Sequence, residues 1–200
     1  MSALPKSFLT PEQYLEIERA AEFRSEYFQG EMFAMAGAGW VHNQLVGRTA
    51  RHLGNQLASR RCEVMSADLR VRVDASGLFV YPDIVVVCEK PQFIDNQFDT
   101  LVNPSLIVEV LSPSTESYDR GRKFEHYRLI ESCTEYLLLS TDRISAELFT
   151  RQTDGRWLLT VATQIEDTLE LQSVSCELSV GAIYDGVDFS RHSAETTLPA

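Results

Sequence analysis

The sequence predicts an α/β (α+β) fold built on a mixed central β-sheet flanked by helices, and three observations carry that prediction. Two segments, "FVYPDIVVVCE" at 79–89 and "SLIVEVLSPST" at 105–115, contain short continuous apolar runs of the kind found in strands covered on both faces. A stretch from Trp40 to about Ser59 places apolar residues at 41, 45, 46, 50, 53 and 57, the spacing of an amphipathic helix. The element order helix, strand, strand, strand, helix, strand fits a layered core rather than an all-helical or all-strand one. With 44% hydrophobic and 24% charged residues in 200, the chain reads as one globular domain. Its core is expected over about 10–185, with a flexible tail over about 188–200.

Each element has a local signal. Thr10-Pro11-Glu12-Gln13 combines an N-cap, a proline in the first turn and a capping-box glutamine, so a helix is expected over about 11–21. In "SEYFQGEMFAM", Gln29-Gly30 stands between two β-prone segments as a hairpin turn. "LRVRV" alternates Leu69, Val71 and Val73 with Arg70 and Arg72, which predicts a half-exposed strand with two arginines on one face. Past Pro113 a helix is expected over about 118–131, then a strand over 135–140. A hairpin turning at Asp154-Gly155 follows, then short strands and a helical turn near Ala182-Ile183-Tyr184.

Charge narrows the function classes. The net charge of −11 argues against a protein that coats nucleic acid through many phosphate contacts. The charge is uneven: residues 129–200 hold 12 acids and 4 bases, whereas residues 42–72 hold six arginines against two acids. A local basic face on an acidic protein is compatible with that pattern. The N-terminus has no basic segment leading into an apolar one, so a cytoplasmic location is expected. Met32–Gly47, the longest uncharged stretch, is too short and polar to span a bilayer. The cysteines at 62, 88, 133 and 176 lack neighbouring histidines at zinc-site spacing and read as reduced, mostly buried thiols.

Two carboxylates stand inside the apolar strands. Asp83 shares a strand face with Val85 and Val87, and Glu109 with Ile107 and Leu111. An acid on an apolar face loses hydration, and two such acids brought together repel unless a cation lies between them. Together they offer hard oxygen ligands for Mg²⁺ or Mn²⁺. Downstream, "SYDRGRKFEHY" concentrates Arg120, Arg122 and Lys123 in the first turns of a helix, where acids are favoured. Lys123 is therefore a candidate for the same site. Asp, Glu and Lys around one divalent ion suit the hydrolysis of a phosphodiester.

The segments "SEYFQGEMFAMAGAGWVHNQL", "YPDIVVVCE", "LIVEVLSPSTESYDRGRKFEHY" and "EYLLLS" resemble the Uma2 family (DUF820), restriction endonuclease-like proteins of the PD-(D/E)XK nuclease superfamily. The resemblance spans roughly residues 10–185. It implies a restriction endonuclease-like core with an N-terminal helix and hairpin and a C-terminal β extension. It also implies an Mg²⁺-dependent endonuclease acting on DNA, with Pro82-Asp83 as the "PD" and Glu109 as the "(D/E)". The family's usual lysine two residues after the Glu is replaced by Leu111, and Lys123 is the candidate for a migrated lysine. A homodimer is expected, since a two-fold pair of sites suits double-strand cleavage.

Plainer readings stand beside this one. Asp83 after proline can cap backbone amides at a strand start. Glu109 can be a buried ion-pair partner of Arg70 or Arg72. Lys123 can form a surface i,i+4 pair with Asp119. His42, Glu31, Glu26 and Asp68 are accessory candidates around the metal or phosphate. The arginines at 48, 51, 60 and 61 read as a solvated helix face, with DNA contact as the sharper view. The alternative to an enzyme is a catalytically inactive nuclease-fold module that binds or regulates, and a third option is a small phosphate ester as substrate.

Overall fold

A computed structural model describes residues 8–192 apart from 36, 67 and 114, without the side chains of 191 and 192. The chain starts with helix α1 (Pro11–Ala20), capped reciprocally by Thr10 and Gln13 as the sequence predicts. Strands β1 (Ser25–Phe28) and β2 (Glu31–Ala34) form the hairpin, and Gln29 and Gly30 both adopt positive φ (49° and 89°), as a type I′ turn requires. Helix α2 (Trp40–Leu57) follows, then β3 (Glu63–Ser66), β4 (Arg70–Val73), β5 (Leu78–Val80), β6 (Ile84–Val87), β7 (Thr100–Leu101) and β8 (Leu106–Leu111).

After Pro113 the chain forms α3 (Glu116–Tyr118), a π-helical turn (Asp119–Lys123) and α4 (Phe124–Tyr127). The helix expected over 118–131 is thus shorter and widened in its middle. Strands β9 (Glu135–Ser140), β10 (Ala146–Arg151), β11 (Trp157–Ala162), β12 (Thr168–Leu171) and β13 (Cys176–Ser179) lead to α5 (Val180–Tyr184).

Two mixed sheets stack. One runs β11-β10-β9-β8-β6-β3 and the other β2-β1-β5-β4-β7, with β8·β9 and β4·β7 parallel and the remaining pairs antiparallel. The even residues of β8 (106, 108, 110) face α2 through Val41, Leu45, Leu53 and Leu57. The odd residues Ile107 and Leu111 face Val71, Leu78 and Val80 of the second sheet, together with Tyr127 and Tyr136. Helix α1 covers the far side of that sheet, where Tyr14 packs on Tyr27 and Phe79.

Four expectations need correction. The run 79–89 is not one strand: Pro82 has no N–H to give a ladder, so the chain leaves the second sheet at β5 and joins the first at β6. The strand carrying Arg70 is covered rather than half-exposed, because α1 lies over it. Arg70, 3% exposed, donates to Thr100 Oγ1 and Tyr81 Oη, both at 2.8 Å, and pairs with Asp99 at 3.0 Å. Cys62 and Cys88 are joined as a disulfide rather than reduced, since the β3·β6 register that pairs Glu63 with Val87 also sets them opposite each other; Cys133 and Cys176 are buried and free. Within the tail expected from 188, Phe189–His192 form a 3₁₀ turn with Phe189 packed on Tyr184, and 193–200 lie outside the described residues. Among the described residues, no helix is long and apolar enough to cross a membrane.

Candidate active site

The site lies where the two sheets part. The β6·β8 ladder ends at Ile84↔Val108, and extending its register by one residue sets Asp83 opposite Glu109. β8 runs on to Leu111 beside β9 alone, which leaves the Val110 amide facing the place β6 has vacated. Asp83 Oδ2 takes that amide at 2.7 Å and also lies 3.2 Å from His42 Nε2 on the first turn of α2. The amide-capping role of Asp83 is therefore realised, and the extended register sets it beside Glu109.

Glu109, 3% exposed, projects from the middle of β8 toward the π-helical turn. Lys123 Nζ lies 3.1 Å from Glu109 Oε1, and the Tyr127 hydroxyl donates to the same oxygen at 2.8 Å. Lys123 also reaches Glu26 Oε1 and Asp119 Oδ1, each at 3.3 Å. The i,i+4 pair of Asp119 and Lys123 exists, but it is buried rather than on the surface. Asp119, Lys123 and Tyr127 recur every four residues and so form one inward stripe. The π-helical widening falls on that stripe, as such bulges often do at functional sites.

Burial pushes the Glu109 carboxyl well above the usual range; Lys123 opposes that rise, while the Asp119 and Asp83 carboxylates add to it. For Lys123 burial acts downward, yet Glu109, Glu26 and Asp119 outweigh it and hold the ammonium well above its ordinary value. Lys123 is thus a fixed donor rather than a base. Burial, with the Glu109 charge behind it, likewise drives the Tyr127 phenol upward.

These groups open onto a cavity of about 620 Å³, lined by Asp83, Glu109, Asp119, Lys123, Glu26 and His42 and by the apolar Phe33, Ala34, Met35 and Ala38. Of the accessory candidates, His42 and Glu26 reach the cavity. Glu31 is not among the residues that line it, and Asp68 lies exposed beside Arg24 at 3.5 Å. The rival partners for Glu109 are engaged elsewhere, Arg70 with Asp99 and Arg72 with Asp74. Of the four arginines read as a solvated helix face, Arg51 and Arg61 are exposed, whereas Arg48 donates to the Ile183 and Asp185 carbonyls and Arg60 to those of Val174 and Ser175.

Two carboxylates completed by water are a donor set that Mg²⁺ accepts. The residues present fit such an ion, because three carboxylates (Glu26, Glu109, Asp119) meet a single ammonium and a fourth, Asp83, lines the same cavity, which leaves negative charge in surplus. Among the described residues, no three His, Cys, Asp or Glu side chains form a ready-made metal cluster. Asp119 and Tyr127 are the site residues that the sequence reading did not single out, although their four-residue spacing from Lys123 was visible.

Comparison with known proteins shows the family and the fold. A family model described as "Uma2: Putative restriction endonuclease" matches residues 11–182. The uncharacterized Synechocystis protein slr1290 is 36% identical over 181 residues, covering 90% of this chain and 94% of its own. A second Synechocystis protein, sll1609, also uncharacterized, is 39% identical over 152 residues, 76% of this chain and 86% of its own. A crystal structure from Anabaena variabilis, described as a "putative nuclease belonging to DUF820", superposes with a TM-score of 0.71 over 92% of this chain and 99% of that one, at 16% identity, and so shares the fold. By the extent of the family match and of these relatives, the chain belongs to the Uma2 family.

Proposed function

We propose that the protein is a metal-dependent endonuclease that hydrolyses phosphodiester bonds of DNA. The observation that carries this reading is the approach of Asp83 and Glu109 across the end of the β6·β8 ladder, with Lys123 held on Glu109. Family membership supports nuclease chemistry, and the metal and the DNA substrate are this reading's own additions.

Asp83 and Glu109 would hold the ion. When bound, Mg²⁺ supplies Lewis-acid charge to the phosphodiester and makes water more acidic. The protein's own groups do the rest. The Val110 amide and His42 fix one carboxylate. Lys123 and Tyr127 fix the other through Oε1, which orients Oε2. Lys123, kept protonated by three carboxylates, holds Glu109 in place and sets its positive charge near negative charge that develops on the phosphoryl oxygens. A homodimer belongs to the same reading. Edge strand β11, with Leu158, Leu159 and Val161 exposed, is a surface such pairing would use.

The alternative is an inactive binding module, favoured by Leu111 at the usual lysine position and by the net charge of −11. One experiment separates the two: calorimetric titration with Mg²⁺ or Mn²⁺ alongside a plasmid nicking assay, on the wild type and on Asp83→Ala/Glu109→Ala. Metal binding and nicking by the wild type, with neither in the double variant, supports the enzyme. If the wild type neither binds metal nor cuts, the inactive module is the correct reading.

A further inference from the structure

We infer that the cavity takes an unpaired nucleotide of single-stranded DNA, its base lying against Phe33 and Met35 and its phosphodiester presented to Asp83 and Glu109. The inference rests on the proposed nuclease site and names the form of its substrate.

Three observations converge on it. The first is an apolar part of the cavity lining, made by Phe33, Ala34, Met35 and Ala38 at the end of the hairpin and in the loop before α2, with Phe33 paired across the hairpin with Glu26. Phe33 is 49% exposed and Met35 42% exposed although both line the cavity, so a large aromatic face and a thioether stand open beside a phosphoryl-transfer site. Aromatic faces bind bases by stacking, and only an unpaired base offers its face. The cavity volume of about 620 Å³ lies within the roughly 300–1,000 Å³ range of small-ligand pockets, whereas a duplex needs an open groove.

Charge is the second observation. Lys123 is the one lysine or arginine among the described residues lining the cavity, and it is already committed to three carboxylates. Duplex recognition relies on many cationic contacts spread along the backbone. Arg48 and Arg60, which would have supplied some of them, are tied to backbone carbonyls of the C-terminal extension.

The third is the entry of α2 into the cavity. Its N-cap, Gly39, makes no side-chain cap, and Gly39 and His42 both line the cavity, so the positive end of an 18-residue helix faces the space. His42 Nδ1 is buried with no hydrogen-bond partner among the described residues, while Nε2 meets Asp83. One phosphate group is what this end accommodates. A single phosphate beside an apolar base-sized wall describes an unpaired nucleotide.

The test uses the full-length protein with Ca²⁺ in place of Mg²⁺, so that the carboxylates carry a divalent ion and binding is read without turnover. A single-stranded DNA oligonucleotide carrying one 2-aminopurine, and the same strand annealed to its complement, are titrated with the wild type, Phe33→Ala and Phe23→Ala. Phe23, exposed and not among the residues lining the cavity, controls for general aromatic adhesion. Circular dichroism melting shows whether Phe33→Ala folds as the wild type does, and a Met35→Ala variant replaces it if not. The single strand is expected to bind about tenfold or more tightly than the duplex, with a shallow salt dependence of about one or two phosphate contacts. Phe33→Ala should weaken single-strand binding about fivefold or more, with Phe23→Ala unchanged. Equal or tighter duplex binding, or full affinity in both Phe33→Ala and Met35→Ala, would overturn the inference. Adding Mg²⁺ or Mn²⁺ separates the two claims. Cleavage of duplex without single-strand preference ends the inference and keeps the nuclease; Phe33-dependent binding without cleavage of any DNA does the reverse.

Discussion

Lys123 Nζ meets Glu109 Oε1 at 3.1 Å from a helical turn fourteen residues downstream, not from the strand that carries the glutamate. Leu111, at the position two residues after Glu109, packs instead into the apolar layer between the sheets. A lysine at 111 would have to be buried there, whereas the π-helical turn delivers the ammonium from the open side. Lys123→Met is expected to lower cleavage at least about a hundredfold, because the positive charge that holds Glu109 and offsets developing charge is lost. The same change leaves Glu26, Glu109 and Asp119 without a counter-charge. A loss of roughly 3–5 kcal/mol in urea unfolding is expected. A variant as stable and active as the wild type would remove Lys123 from the site.

Tyr127→Phe isolates one hydrogen bond. The ring sits 5.3 Å from Tyr136 and is fully buried, so its packing survives while the 2.8 Å bond to Glu109 disappears. A loss of about 1–3 kcal/mol is expected in denaturant unfolding. Since only the orientation of Glu109 is loosened, Mn²⁺ affinity measured by calorimetry should fall about tenfold or more.

Asp83 Oδ2 holds the Val110 amide, and its charge belongs to the proposed metal site; two substitutions separate the roles. Asparagine keeps an acceptor for the Val110 amide but no charge; alanine keeps neither. Both are expected to abolish metal-dependent cleavage. Only Asp83→Ala should also lose about 1–3 kcal/mol of stability, for a buried amide left unpaired. Equal stability of the two variants would show that the 2.7 Å contact does not hold β8 in place.

How far the sequence revealed this site follows from the range of the signals. The face of Glu109 was legible, because β8 is a regular strand and alternation sets Glu109 with Ile107 and Leu111. The capping box of α1 and the turn at Gln29-Gly30 were legible for the same reason: both act within four residues. The break at Pro82 was not, since an apolar run on both sides of a proline does not say that two different sheets receive it. Arg70 was read as exposed because alternation reports which residues share a face, not what later covers it. Asp119 and Tyr127 were missed for a related reason. Their spacing from Lys123 marks a shared helix face, but only the packing of that face on β8 makes it a site. The Cys62–Cys88 disulfide depends on the β3·β6 register, which no local pattern reports.

The hairpin that brings Glu26 to Lys123 depends on its turn. Gly30 has φ +89°, and a Cβ built there would stand 2.5 Å from Phe8 Cβ. Gly30→Ala is therefore expected to cost at least about 1–2 kcal/mol. Gln29→Asn, which supplies the residue preferred ahead of glycine in type I′ turns, should be neutral or raise the melting temperature. Thermal melts of the two variants should thus move in opposite directions or differ clearly in size.

Acid sensitivity is expected at the opposite side of the second sheet from the site. The Arg19 guanidinium, bonded to both oxygens of Asp99, overcomes the opposing effect of burial and, with Thr100 and Arg70, holds the Asp99 carboxyl down at about 2 from an ordinary 3.8. A carboxyl depressed on folding releases its proton more readily in the native state, so the stability it adds is complete above pH 3.8 and lost as pH falls through about 2. Asp99→Asn removes that contribution at every pH and leaves the buried Arg70 with its bonds to Thr100 and Tyr81 only. Urea unfolding of the wild type and the variant should therefore show a constant gap from neutral pH down to about pH 5, narrowing between about pH 4 and pH 2. A gap that stays constant to pH 2 would mean that Asp99 acts through its shape and hydrogen bonding rather than through its charge.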